Sequence, residues 1–106
     1  MSKENAPSFY QSLKQSHPDF IDAMDRLGQA VREQGPLDNK TAHLVQLTAA
    51  AAIRSEGAVH SHVRRALKAG ASIEEVRHSL MLLTSTIGFP TVVAALSWVE
   101  DVLGQD

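Results

Sequence analysis

The chain contains no cysteine. That absence removes structural disulfides, cysteine-ligated zinc and iron–sulfur clusters, and it leaves the chain without a thiolate nucleophile of its own. Long apolar runs are missing too: nothing approaches the roughly 20 residues that span a bilayer. The opening segment Met1–Pro7 is short and polar, without the apolar core of a secretory signal. These features predict a cytoplasmic protein with no membrane partner. Neither sign of charge is in large excess, the formal net charge being -2, so nothing global attracts nucleic acid.

What is present is helical. The 106 residues are enough for one domain, and the 43% that are apolar fall in periodic runs of alanine, valine and leucine. Proline and glycine divide these runs. A first short helix is expected from Pro7 to about Ser16, carrying Phe9, Tyr10 and Leu13. His17-Pro18-Asp19 breaks it, and Pro18 opens a second helix in which Phe20, Met24, Leu27 and Val31 recur until Gly35-Pro36. Asp38 is placed to cap a third helix with Leu44, Leu47, Ala51 and Arg54 along one face; every residue from Ala49 to Ile53 is apolar, so this helix is expected to be buried on most sides. Ser55 is placed to cap a fourth that ends at Gly70. Ser72 and Glu75 have capping-box spacing for a fifth, from Ile73 to about Ile87. Gly88-Phe89-Pro90 turns the chain into a sixth, from Thr91 to Leu103, with Val92, Leu96, Val99 and Leu103 inward. No segment alternates with a period of two. The predicted architecture is all-α, about six helices in one domain spanning 1–106, with a core at 35–103 and an N-terminal helical extension at 1–34. Met81, Leu82, Val93 and Trp98 lie off the inward stripes. Either a homo-oligomer interface or a neighbouring helix covers them.

The densest polar cluster is Arg54-Ser55-Glu56-Gly57-Ala58-Val59-His60-Ser61-His62-Val63-Arg64-Arg65. On a helix, His60, Arg64 and Lys68 form a line pointing toward solvent, whereas His62 falls within the apolar face of Val59, Val63, Ala66 and Leu67. Two histidines spaced i, i+2 sit roughly 200° apart on a helix and do not share one metal ion. His62 is therefore the histidine of interest. Ala58, one turn earlier, leaves space beside its ring, and Ser55 lies where helix-terminal amides hold an anion or a developing oxyanion. A lone histidine on an apolar face is more often a hydrogen-bonded core residue, but these surroundings suit an acid–base site. From local sequence His43 reads as a surface histidine in a first turn, and Glu56 as a carboxylate placed by the helix dipole.

From Gly35 to Leu103 the chain resembles the carboxymuconolactone decarboxylase and alkylhydroperoxidase D superfamily. The resemblance is carried by Gly35-Pro36-Leu37-Asp38-x-Lys40-Thr41 ahead of an alanine-rich helix, and by Ser61-His62-Val63-Arg64-Arg65-Ala66-Leu67-x-Ala69-Gly70-Ala71. Ile73-Glu74-Glu75-Val76 and Gly88-Phe89-Pro90 continue it. It implies an all-helical fold and a homo-oligomer, often a trimer or hexamer. Peroxidase members of this family use a Cys-x-x-Cys, a histidine four residues later and a glutamate twelve residues before. His62 matches that histidine; Ser55 and Ala58 stand at the cysteine positions and His43 at the glutamate position. The fold is therefore expected to carry over and the peroxidase mechanism is not, since a serine hydroxyl performs no thiolate or disulfide chemistry. The lactone decarboxylase branch keeps a histidine at the position of His62 and a carboxylate where this chain has Ala58. The alignment also raises His43, which it sets facing His62.

The resulting expectation is a pocket in which His62 acts as acid or base, oriented by His43, while Ser55 holds a carboxylate or enolate oxygen. Arg54, Glu56 and Ala58 line it as binding positions. The expected ligand is a small organic acid or lactone, undergoing isomerisation, decarboxylation or hydrolysis, with no cofactor. Two alternatives come from other classes: a non-catalytic ligand-binding or assembly subunit on the same scaffold, and a transition-metal site formed by His43 and His62, with or without Glu56.

Overall fold

The computed structural model describes residues 8–104, and every regular element among them is helical. Pro7, where the first helix was expected to begin, lies outside the described residues. The chain forms two compact units, one ending at Leu37 and the other beginning at Asp38.

The first unit is a helical pair, α1 (Ser8–Ser16) and α2 (Pro18–Arg32). His17 breaks the chain between them in a non-helical conformation, φ -137 and ψ 64, and Pro18 occupies the first turn of α2, where its missing N–H costs nothing. Tyr10 on α1 donates to the Asp25 carboxylate on α2 at 3.3 Å. The stripe of Phe20, Met24, Leu27 and Val31 does form, but all four side chains are exposed. Within α2 the buried residue is Ile21.

The second unit contains α3 (Asn39–Ala52), α4 (Glu56–Lys68), α5 (Ile73–Met81), α6 (Thr84–Ile87) and α7 (Phe89–Leu103). Its core joins Leu47 and Ala51 of α3, Val59 and Val63 of α4, Val76 and Leu80 of α5, and Val99 of α7, each almost wholly removed from water. Burial of each of these leucine and valine side chains contributes about 1.5–3 kcal/mol before conformational entropy is set against it. Three expectations need correction. The alanine-rich stretch is inward at Ala50 and Ala51 alone, while Ile53 is 77% exposed because it already sits in the turn after α3. The expected fifth helix divides into α5 and α6. There Leu83 N–H takes a 3₁₀-type bond to Leu80 C=O at 3.0 Å, and the Thr84 hydroxyl donates to Met81 C=O at 2.8 Å. The last helix starts at Phe89 rather than Thr91, since Pro90 is tolerated in a first turn and Gly88, at φ 95, supplies the left-handed turn before it. Trp98 packs against the core, whereas Met81, Leu82 and Val93 stay exposed.

Two helix starts are fastened as their sequences require. Asp38 accepts from Thr41 N–H at 2.7 Å, and Ser72 and Glu75 complete a reciprocal capping box. Lys40 reaches from α3 to Glu75 at 3.1 Å. The Thr41 backbone N–H holds the Asp38 carboxyl below its ordinary range, and the Ser72 backbone N–H, aided by Lys40, does the same for Glu75. A depressed native pKa adds stability that is complete above the unfolded value and disappears as pH falls through the native one. The melting temperature is therefore expected to fall on acidification below about pH 4.5. An Asp38→Asn/Glu75→Gln variant should lose less over the same interval, as followed by circular dichroism. Parallel acid limbs for the two proteins would refute this assignment.

Among the described residues no helix is long and apolar enough to cross a membrane.

Candidate active site

The site is built where α3 and α4 meet, the most extensive helix–helix contact in the second unit. Its geometry depends on how α3 stops. Arg54 N–H bonds Ala51 C=O at 3.0 Å and Ser55 N–H bonds Ala50 C=O at 2.9 Å, the paired closure of a Schellman motif. The residue in the left-handed position is Arg54, at φ 58, not glycine. The same closure ends α4, where Gly70 at φ 105 occupies that position and bonds Leu67, and Ala71 bonds Ala66. At Arg54 a side chain is retained despite the conformational cost, and its guanidinium donates to the Thr91 hydroxyl at 2.9 Å, tying the α3–α4 turn to the first turn of α7.

This turn sends α4 back along α3 and brings the two histidines together. His43 Nδ1 lies 3.4 Å from His62 Nδ1, with ring centroids 5.6 Å apart and planes inclined at 41°. His43 is 4% exposed, the one buried polar or charged residue of the described core, and His62 is half-buried. The surface position that local sequence assigns to His43 is thus incorrect. Leu47 and Ala50 follow it at i+4 and i+7, and both are buried, so His43 belongs to an inward line that the choice of Leu44 as the helix anchor conceals.

At this separation only one of the two Nδ1 atoms carries a proton in a hydrogen bond; the other presents its lone pair. The ring that donates through Nδ1 has its lone pair on Nε2, and the ring that accepts through Nδ1 carries its one ring proton on Nε2. The contact thereby fixes opposite tautomers in the two rings and gives a proton a direct path between them.

Ser55 and Ala58 lie seven and four residues before His62 on α4, along the same helix face. Ser55 adopts an extended cap conformation without a side-chain capping bond, so its hydroxyl leaves the first-turn amides of α4 unclaimed. The other expected binding residues turn elsewhere. Arg54 engages Thr91, and Glu56 approaches His60 at 3.7 Å. Among the described residues, Glu56 groups as a possible metal ligand with His60 and Asp101, not with His43 and His62. His60 is also a correction: its side chain is only 16% exposed, because α7 packs across the α4 face expected to be solvated. Asp101, more than forty residues away in sequence, carried no local signal that it would meet α4.

A model of the Carboxymuconolactone decarboxylase family matches residues 18–101. The chain is 28% identical over 93 residues to an uncharacterized protein of Methanocaldococcus jannaschii, covering 88% of this chain and 87% of that one. A solved structure of a carboxymuconolactone decarboxylase family protein from Legionella pneumophila superposes with a TM-score of 0.75 at 23% identity, covering 92% of this chain and 88% of that one. That likeness concerns the fold.

Proposed function

The chain belongs to the carboxymuconolactone decarboxylase family, and from that premise we propose that it performs histidine acid–base chemistry on a small organic acid or lactone. The observation that carries this reading is the 3.4 Å apposition of His43 and His62 on facing helices. His62, the more accessible ring, exchanges a proton with the substrate through Nε2, and His43 holds its tautomer through Nδ1. When His62 takes up a proton, its Nδ1–H donates to His43 and the charge is shared across a bond that shortens as it becomes charge-assisted. The first-turn amides of α4 and the Ser55 hydroxyl face the negative charge developing on a carboxylate or enolate oxygen. Thiolate peroxidase chemistry is outside what this chain supplies, because Ser55 and Ala58 occupy the two positions at which the resemblance expects cysteines. We further propose that the protein works as a homo-oligomer, with exposed Met81, Leu82 and Val93 in the contact.

The test is turnover of a panel of small lactones and keto acids by the purified protein, with light scattering on the same sample. Turnover of at least one member, lost in His62→Ala, supports the reading, together with a mass above one chain that Leu82→Glu reduces. A folded sample that binds panel members but converts none would establish the ligand-binding alternative instead. Activity that survives His62→Ala would overturn the assignment of that residue.

A further inference from the structure

A second cluster of ligating groups lies outside the paired-histidine site. Glu56 and His60 are one turn apart on α4, so their side chains project from one face, and Asp101 on α7 meets them. His60 Nε2 lies 3.7 Å from the Glu56 carboxylate and 3.6 Å from that of Asp101, and one ligand atom from each of the three residues falls within 4.8 Å of the others. The two carboxylates are about half exposed, while the His60 side chain is largely covered. Its Nε2 is buried and forms no hydrogen bond.

We propose that Glu56, His60 and Asp101 form a binding site for a divalent transition-metal ion. Two arguments favour an ion over a plain ion pair. An imidazolium N–H aimed at carboxylates closes to about 2.7–2.9 Å, and neither separation here does so. Ligand atoms each about 2.0–2.2 Å from a common ion stand about 3.3–3.8 Å apart at tetrahedral to trigonal angles, a range that contains the distances from His60 Nε2 to both carboxylates. A buried imidazole nitrogen without a hydrogen-bond partner, directed between two carboxylates, is also a costly arrangement unless something accepts its lone pair. One nitrogen and two carboxylate oxygens suit Zn²⁺, Fe²⁺ or Mn²⁺ over the softer ions that prefer thiolates, and the order of intrinsic affinities makes Zn²⁺ the most sensitive probe. The exposed carboxylates leave the remaining coordination positions to water. Because α4 and α7 both contribute ligands, the ion would link the two helices. The site is independent of the paired histidines, since His60 and His62 project about 200° apart around α4.

The experiment uses the full chain purified without an affinity tag, titrated with ZnCl₂ by calorimetry. Cobalt(II) absorption reports the coordination sphere. One ion per chain is expected, with affinity reduced roughly tenfold or more by His60→Ala and by Asp101→Asn, and unchanged in His62→Ala. Asp101→Asn and Glu56→Gln keep side-chain shape, and circular dichroism checks that each variant is folded. Zinc binding by the unaltered protein no tighter than that of His60→Ala would reduce the cluster to an ion pair and overturn the proposal. Loss of binding in His62→Ala would move the ion to the other histidines and overturn it equally. Neither result depends on whether any substrate is turned over.

Discussion

His43→Ala is expected to lower turnover almost as far as His62→Ala, by a factor of about 10²–10⁴, with the double variant little worse than either single one. General acid–base catalysis by a positioned side chain contributes gains of that order, and they vanish when the group presents the wrong tautomer or orientation. His62 is oriented by its contact with His43, whose Nδ1 lies 3.4 Å from its own on the facing helix. Without that partner the half-buried His62 ring loses the bond that selects its tautomer, so removal of the positioning residue disables the reacting one. Strong non-additivity is the signature of two groups acting as one unit. A role for His43 in packing alone predicts another pattern: normal turnover per folded molecule and a lowered melting temperature. His43→Gln separates the cases further, because an amide of similar reach restores a hydrogen bond without relaying a proton. It is expected to recover stability and KM while kcat stays low. Additive losses in the cycle would show that the rings act separately and remove the relay from the mechanism.

The helices were legible where capping chemistry and periodicity agree. Asp38, Ser72 and Glu75 mark starts that form with the bonds their side chains predict, and Gly70 marks the end of α4. Legibility failed where a boundary depends on a contact or a local competition that period alone does not encode. The Leu82–Leu83 break interrupts a run whose three–four rhythm continues through it, and the Thr84 hydroxyl that donates to the Met81 carbonyl looks ordinary in sequence. Arg54 carried no sign that it would take the left-handed position usually given to glycine. Half of the site was visible: His62 lies on an apolar face by spacing alone. His43 emerged only through the family resemblance, because α3 has a broad inward stripe and either of two adjacent residues, His43 or Leu44, can define its centre. The Glu56–His60–Asp101 cluster was hidden for a different reason. One of its members comes from α7, and spacing along a single helix assigns faces without identifying what packs against them.

Leu47→Ala is expected to destabilise the second unit by about 2–5 kcal/mol, the range for emptying a fully enclosed leucine position. Leu47 has no exposed surface and sits in the core cluster with residues of α4, α5 and α7, so little can collapse into the space without moving several helices together. For a domain of this size the loss corresponds to a fall in melting temperature of at least ~10 °C. Urea unfolding should show a lower midpoint at unchanged slope, provided the transition stays two-state. Leu82→Ala supplies the contrast. The same side chain is shortened at a position 62% exposed in the single chain, so its effect on the isolated fold should remain within about 0.5 kcal/mol. The pair also tests how the fold supports the site. Leu47 lies one turn beyond His43 on the buried line of α3, so its truncation loosens the element that presents the imidazole to His62. Activity per folded molecule should fall in Leu47→Ala at temperatures well below its melting point, and stay unchanged in Leu82→Ala wherever the oligomer persists. Full activity in a Leu47→Ala protein that is measurably destabilised would show that the histidines keep their separation without the core beneath them, and that α3 is held in register by its caps and end turns alone.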